Sequence, residues 1–266
     1  MPADAGAGER TEDAVLGGKL RLAQPKRGHR VGHDAILLAA ACPARAGERV
    51  VDLGAGVGAA GLALAVRVPG AIVTLVEVDS QLAALAAENA QTNGLAVRVS
   101  VAVLDVAARA RAFAAAGLAA ESVERVLMNP PFNDPARQRP SPDRQRRLAH
   151  SAPFGRLAHS APGATAWFKT AARLLRPRGT LALIWRADGL AEVLHALHPA
   201  FGAVMVLPVH GRAGEPAIRV LVRATKGSNA PLVLLPGLAL NDPAGRPTAE
   251  AEAVLRTGGR LPLAEI

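Results

Sequence analysis

The chain of 266 residues contains no tyrosine, a single cysteine and only 3% aromatic residues. One cysteine, Cys42, excludes a disulfide framework within the chain and a cysteine-built metal site. Without tyrosine, a common acid of hydride-transfer sites is missing, and no His or Lys stands out in its place. No uncharged apolar run reaches the length needed to cross a bilayer. Residues 1–13 are rich in Ala, Gly and acids and lack a basic stretch followed by an apolar one, so they do not read as a signal peptide. A soluble, cytoplasmic protein is the expectation. Acids are also in short supply, with 22 Asp and Glu against 31 Lys and Arg, a net charge of +9. That excess favours a polyanionic partner, nucleic acid before others. Half of the residues are apolar, enough for one large α/β domain with a full core.

Strands and helices alternate through most of what is present. Residues 1–16 read as a flexible leader ahead of a domain over 17–225. A helix is expected from His33-Asp34 to Cys42, where Pro43 stops it. Arg49–Leu53 is an apolar strand, followed by glycines and a helix over 58–66. A strand over 72–78 leads into a helix over 80–91 that Ser80 would cap. Next come a strand over 97–104, a helix over 106–116 and a strand over Val123–Met128. A helix over 165–175, ended by Pro177 and Gly179, precedes a strand over 180–185. A helix over Leu190–Leu197 then leads to strands over 204–209 and 218–224. The connection between those two is too short for a crossover helix, so they should pair antiparallel. The alternation predicts a doubly wound, mostly parallel sheet. Residues 226–266, rich in Pro and Gly, read as an extension wrapped on the surface of the same domain.

One segment breaks the rhythm. Residues 133–164 carry arginines at 137, 139, 144, 146, 147 and 156 and prolines at 135, 140, 142, 153 and 162. Arg147-Leu148-Ala149-His150-Ser151-Ala152-Pro153 recurs nine residues later as Arg156-Leu157-Ala158-His159-Ser160-Ala161-Pro162. So short and clean a tandem copy is an insertion rather than a repeat architecture. Copying accounts for the His150 and His159 pair, and no metal site is expected.

Asp52-Leu53-Gly54-Ala55-Gly56-Val57-Gly58 ends one strand and opens a helix. Glycines there let the backbone approach a ligand at a helix N-terminus and at the carboxyl edge of a sheet. The next strand ends in Glu77-Val78-Asp79, with Glu77 lying 19 residues beyond Gly58. An acid at that tip can accept both hydroxyls of a ribose. Asp105 ends the third strand, placed to accept an adenine amino group. Gly56-Val57-Gly58-Ala59-Ala60-Gly61 also fits the dinucleotide fingerprint. Asp52 ahead of the glycines suits an aminoacyl ammonium or a sulfonium better than a pyrophosphate, so S-adenosylmethionine is expected over a nicotinamide cofactor.

Asn129-Pro130-Pro131-Phe132 follows an apolar strand. The prolines stiffen the turn and lack N–H groups. Backbone carbonyls and the Asn129 side-chain oxygen are left as acceptors, and Phe132 offers a ring face. The combination suits a planar group bearing an NH2, held by two acceptors and stacked on a ring.

Residues 52–58, Glu77, Asp105 and Asn129-Pro130-Pro131-Phe132, in that order on alternating strands, resemble a class I S-adenosylmethionine-dependent methyltransferase. The Asn-Pro-Pro-Phe stretch is similar to that of enzymes methylating adenine N6, guanine N2 or a protein glutamine. Gln24-Pro25-Lys26-Arg27-Gly28-His29-Arg30, followed by Asp34-Ala35-Ile36-Leu37-Leu38-Ala39-Ala40, resembles the bacterial valine-tRNA adenine-N6 methyltransferase family. Ser141-Pro142-Asp143 and Arg147-Leu148-Ala149-His150 are similar to that family too, although the duplicated loop departs from its pattern. The resemblance spans residues 17–225 and implies a seven-stranded, Rossmann-like sheet with its last strand antiparallel between two others. It implies Glu77 on the ribose, Val78 beside it, Asp105 near adenine, and the backbone of Gly54, Ala55, Gly56 and Gly58 along the methionine part. Arg30 and Asp34 would lie by the amino-terminal lid of that pocket. The expected reaction is methylation of adenine N6 in RNA, tRNA first, by a monomer or homodimer. Alternatives are a protein glutamine, a ribosomal RNA base, or an RNA-binding module without catalysis.

Overall fold

The computed structural model describes residues 10–26, 31–131 and 164–265. The expected α/β alternation is present. Strand β1 (Arg10–Val15) and strand β2 (Leu20–Pro25) form an antiparallel hairpin. Then follow α1 (His33–Ala41), β3 (Arg49–Leu53), α2 (Ala59–Arg67), β4 (Ile72–Glu77), α3 (Ser80–Thr92) and β5 (Val99–Val103). The second half holds α4 (Ala110–Ala115), β6 (Val123–Met128), α5 (Ala164–Leu174), β7 (Leu175–Arg186), α6 (Leu190–Leu197), β8 (Phe201–Arg212) and β9 (Ala217–Lys226). The tail adds β10 (Val233–Leu234), β11 (Leu238–Asn241) and α7 (Ala249–Glu252).

Seven strands run in the order β8-β9-β7-β6-β3-β4-β5, parallel except for β9, which pairs antiparallel with both β7 and β8. This is the expected doubly wound sheet, with its last long strand inserted between two others. Both faces are covered, as a parallel sheet requires. Helices α1, α2 and α3 pack through Leu37, Leu38, Leu62, Leu64 and Ala86 on one side. Phe113, Phe168, Leu174 and Val193 of α4, α5 and α6 fill the other.

Several local expectations are corrected. The leader is not featureless to residue 16, because Arg10–Val15 pairs along β2, whose inner face buries Leu20, Leu22 and Gln24. Asp79, not Ser80, caps α3, its Oδ1 accepting from the N–H groups of Gln81 and Leu82. The helix expected over 106–116 shrinks to Ala110–Ala115, since Asp105 closes a turn by accepting from Ala107 and Ala108. Pro177 and Gly179 do not separate helix from strand. They lie inside β7, where its pairing with β6 shifts register. The tail is more than a surface wrap: β10 and β11 add parallel pairs to β8, and Leu238, Leu261 and Leu263 are fully buried. The duplicated segment from 133 to 163 lies outside the described residues.

Candidate active site

In this sheet the winding reverses between β3 and β6. Strands β4 and β5 are added on one side of β3, and β6 and β7 on the other. A reversal of this kind opens a crevice beyond the carboxyl ends of the two strands. Register decides what meets there. Leu53 is paired with Met128 on β6 and with Val76 on β4. The next residue along each strand is therefore Gly54, Asn129 and Glu77. Glu77 is in turn paired with Val103, two residues before Asp105. Four groups that lie far apart in sequence stand in one row along the carboxyl edge.

The glycine loop is held by its own backbone. Gly54, Gly56 and Gly58 all have positive φ, at 68°, 58° and 88°, a region that costs glycine nothing. A Cβ on Gly54 would overlap the ring of Trp167 from α5, so that position is closed by packing as well as by dihedral. A Cβ on Gly56 would meet nothing within 4 Å, which leaves open space over the middle of the loop. Glu77 is buried beside it. Its Oε2 accepts from Gly56 N–H at 2.8 Å, and its Oε1 accepts from the N–H groups of Val78 and Asp79 at 2.9 Å each. Val78 exposes 51% of its surface next to this carboxylate, an apolar patch at the strand tip. Ala55 closes the loop onto β4, its N–H donating to the Val76 carbonyl at 2.9 Å. Asp105 is exposed at the end of the row.

Asp52 sits under the loop rather than on its open side. It is 2% exposed, and its Oδ2 accepts from Gly61 N–H at 2.8 Å. Burial pushes its carboxyl up to about 7, against the opposing bond from Gly61, and the nearby charge of Glu77 pushes the same way.

At the other end of the row, Pro130 is buried and Pro131 exposed. Asn129 Oδ1 is buried and, among the described residues, has no hydrogen-bond partner. Buried polar atoms are almost always paired, so an orphaned acceptor at a crevice calls for an explanation. A donor supplied by a ligand provides one.

Asp34 does not reach a ligand alone. At the start of α1 its Oδ2 accepts from Arg219 Nε at 2.9 Å, in a partly exposed ion pair. Arg30 and Phe132 lie outside the described residues. Sequence reasoning missed two residues of this region. Trp167 backs Gly54, and Asn89 of α3 donates to the Val57 carbonyl at 3.0 Å. A tryptophan in a chain with two of them was the one available signal for the first. An Asn on a helix gave none for the second.

Comparison with known proteins places the chain in a family. The family described as Methyltransferase small domain matches residues 29–153. The chain is 33% identical over 215 residues to the tRNA1(Val) (adenine(37)-N6)-methyltransferase of Aeromonas hydrophila, covering 75% of this chain and 78% of that protein. It is 30% identical over 162 residues to the release factor glutamine methyltransferase of Chlorobaculum tepidum, covering 59% of this chain but only 52% of that protein's length. The crystal structure of a predicted O-methyltransferase from Agrobacterium tumefaciens superposes with a TM-score of 0.69 at 32% identity, over 85% of this chain and 96% of that one.

Proposed function

From a chain that belongs to the small-domain methyltransferases, we propose an enzyme that moves a methyl group from S-adenosylmethionine to the exocyclic N6 of an adenine in tRNA. The observation that carries the reading is the buried Asn129 Oδ1, unpartnered among the described residues, one residue past the pairing of Leu53 with Met128 and so beside the glycine loop.

The residues present fit the cofactor. Open space over Gly56 admits a ligand against the loop, and Glu77 and Asp105 supply acids for ribose hydroxyls and an adenine amino group. When bound, S-adenosylmethionine supplies a methyl on a sulfonium, a donor reactive enough that no strong base is needed first. The remaining work falls to this chain's own groups. Asn129 Oδ1 accepts one N–H of the amine and the Pro130 carbonyl accepts the other. The nitrogen, its lone pair otherwise delocalised into the ring, is drawn toward tetrahedral geometry and aimed, and on gaining the methyl it would release one of its two protons to solvent. By its place in the Asn-Pro-Pro-Phe stretch, Phe132 would stack on the base. Rate then comes from orientation and fixed dipoles.

A planar glutamine amide offers the same NH2, and the release factor methyltransferase relative keeps that reading in view. Two things favour RNA. The net charge of +9 suits a polyanion, and the tRNA methyltransferase relatives from Aeromonas hydrophila and Serratia proteamaculans are covered over 78% and 71% of their lengths. An adenine in a loop is already unstacked, which lowers the cost of bringing it to the crevice.

Transfer of labelled methyl to total tRNA, rRNA and cell protein, followed by nucleoside analysis, tests the proposal. Label in tRNA as N6-methyladenosine is expected. Ribonuclease-resistant label in protein, or label confined to rRNA, would replace the substrate.

A further inference from the structure

Asn89 of α3 and Asn93, the residue just past its C-terminus, grip the edge of β2 in the same way. Asn93 Oδ1 accepts from Arg21 N–H at 2.9 Å and its Nδ2 donates to the Arg21 carbonyl at 2.7 Å. Asn89 Oδ1 accepts from Ala23 N–H at 2.7 Å and its Nδ2 donates to the Ala23 carbonyl at 3.0 Å. Side-chain amides thus complete the free edge of the hairpin, as a further strand would.

Asn89 does one thing that Asn93 does not. Its second Nδ2 hydrogen is donated to the Val57 carbonyl at 3.0 Å, in the middle of the glycine loop. Asn89 is 1% exposed, so this amide is fully desolvated and fully used. The loop is then held at adjacent residues by different devices: Glu77 accepts from Gly56 N–H, and Asn89 donates to Val57 C=O. In the proposed function Glu77 turns to ribose hydroxyls, and its bond to Gly56 is the one put in competition. The bond from Asn89 faces the protein interior and has no ligand to compete with.

The hairpin continues the chain of contacts. Gln24, next to Ala23, is fully buried. Its Nε2 donates to Asp13, and its Oε1 accepts from Val31 N–H at 2.9 Å, just ahead of α1. The glycine loop, the hairpin and the entry to α1 are joined through two buried side-chain amides.

We propose that Asn89 is a positioning residue for the cofactor: it sets the height of the glycine loop against the amino-terminal hairpin and keeps that setting when Glu77 changes partners. The inference rests on the S-adenosylmethionine reading above. It also predicts an inequality that a purely architectural role would not produce, because Asn93 makes the same hairpin bonds without touching the loop.

The test compares Asn89→Asp, Asn89→Leu and Asn93→Asp in the full chain. S-adenosylmethionine binding is read by calorimetry, thermal unfolding is recorded for each variant, and KM and kcat are taken with tRNA. Both Asn89 variants should weaken S-adenosylmethionine binding and raise its KM by roughly tenfold, the scale of one buried hydrogen bond lost, with kcat within about twofold. Asn93→Asp should leave Kd and KM unchanged even where it lowers the melting temperature. Equal changes in Kd from the Asn89 and Asn93 variants, or no change from either, would overturn the inference while leaving the reaction intact. An Asn89 variant that fails to fold moves the test to the milder substitution of the pair, and failure of both while Asn93→Asp folds would assign Asn89 to architecture and overturn the positioning role. Absence of S-adenosylmethionine binding by the unaltered protein would overturn the proposed function and this inference with it.

Discussion

The two ends of the crevice are finished to different degrees. At the glycine-loop end every carboxylate has backbone partners: Glu77 takes three N–H groups, Asp52 takes that of Gly61, and Asp105 takes that of Ala107. At the Asn129 end a buried amide oxygen takes none among the described residues. Leaving an acceptor dry costs about 1–3 kcal/mol, a cost that folding alone would remove by pairing it or exposing it. The loop end is complete before anything binds and must exchange a bond to receive a ligand. The Asn129 end becomes complete only when a donor arrives. In the proposed reaction, a methyl donor held at the loop end and an amine held at the Asn129 end only for transfer would call for that asymmetry.

The strongest way to break the comparison is at its open end. Asn129→Ala should lower kcat by about 10²- to 10³-fold, the cost of removing one preorganised electrostatic group. Calorimetry should find S-adenosylmethionine bound nearly as before. Turnover within a few-fold of the unaltered enzyme would show that the orphaned oxygen is not where the amine is held. At the closed end, Gly54→Ala places a Cβ into the Trp167 ring at a φ of 68°. Overpacking and backbone strain together should cost about 3 kcal/mol or more, read as a fall in the denaturation midpoint, and cofactor binding should go with it.

Asp52 sharpens the comparison through pH. Its folded value of about 7 stands above the ordinary 3.8 because of burial. A raised acid favours the folded state fully below the unfolded value, and that advantage is lost as pH rises through the folded one. Asp52→Asn should therefore gain on the unaltered protein between pH 4 and pH 8, by on the order of 4 kcal/mol, as measured by denaturation at each pH. A difference that does not change with pH would mean that Asp52 is ionised when folded. The smallest effect is expected at Asp34. Its partly exposed pair with Arg219 should contribute about 0.5 kcal/mol, so Asp34→Asn should barely move the melting temperature. A clear rise in the KM for S-adenosylmethionine in that variant would return Asp34 to the cofactor pocket, the role its motif implies.

Much of the sheet was readable from periodicity. The strands Arg49–Leu53 and Val123–Met128 were legible residue for residue, because each is a mostly apolar run bounded by a glycine, a proline or a polar turn, and so was the helix Leu190–Leu197, whose apolar residues recur at helical spacing. The errors fall where a side chain competed with the local pattern. Asp79 took the cap expected of Ser80, and Asp105 held a turn where an Ala-rich helix was expected. The hairpin was hidden because β1 buries little of its own and relies on β2 for its edge. In the site, Asn129, Glu77 and the glycines were legible as types at strand ends. Trp167 and Asn89 were not, since neither residue type at a helical position carries a signal without its neighbour.

By itself the sequence determined the class of chemistry. Glycines after one strand, an acid after the next and Asn-Pro-Pro after a fourth are local features whose meaning needs only the alternation of elements. The tertiary structure decided which of these meet and what each is free to do. Register of parallel strands set Gly54, Glu77 and Asn129 side by side, while burial sent Asp52 beneath the loop and left Asn129 Oδ1 without a partner among the described residues. Burial and pairing are sums over contacts distant in sequence, and no local pattern contains them.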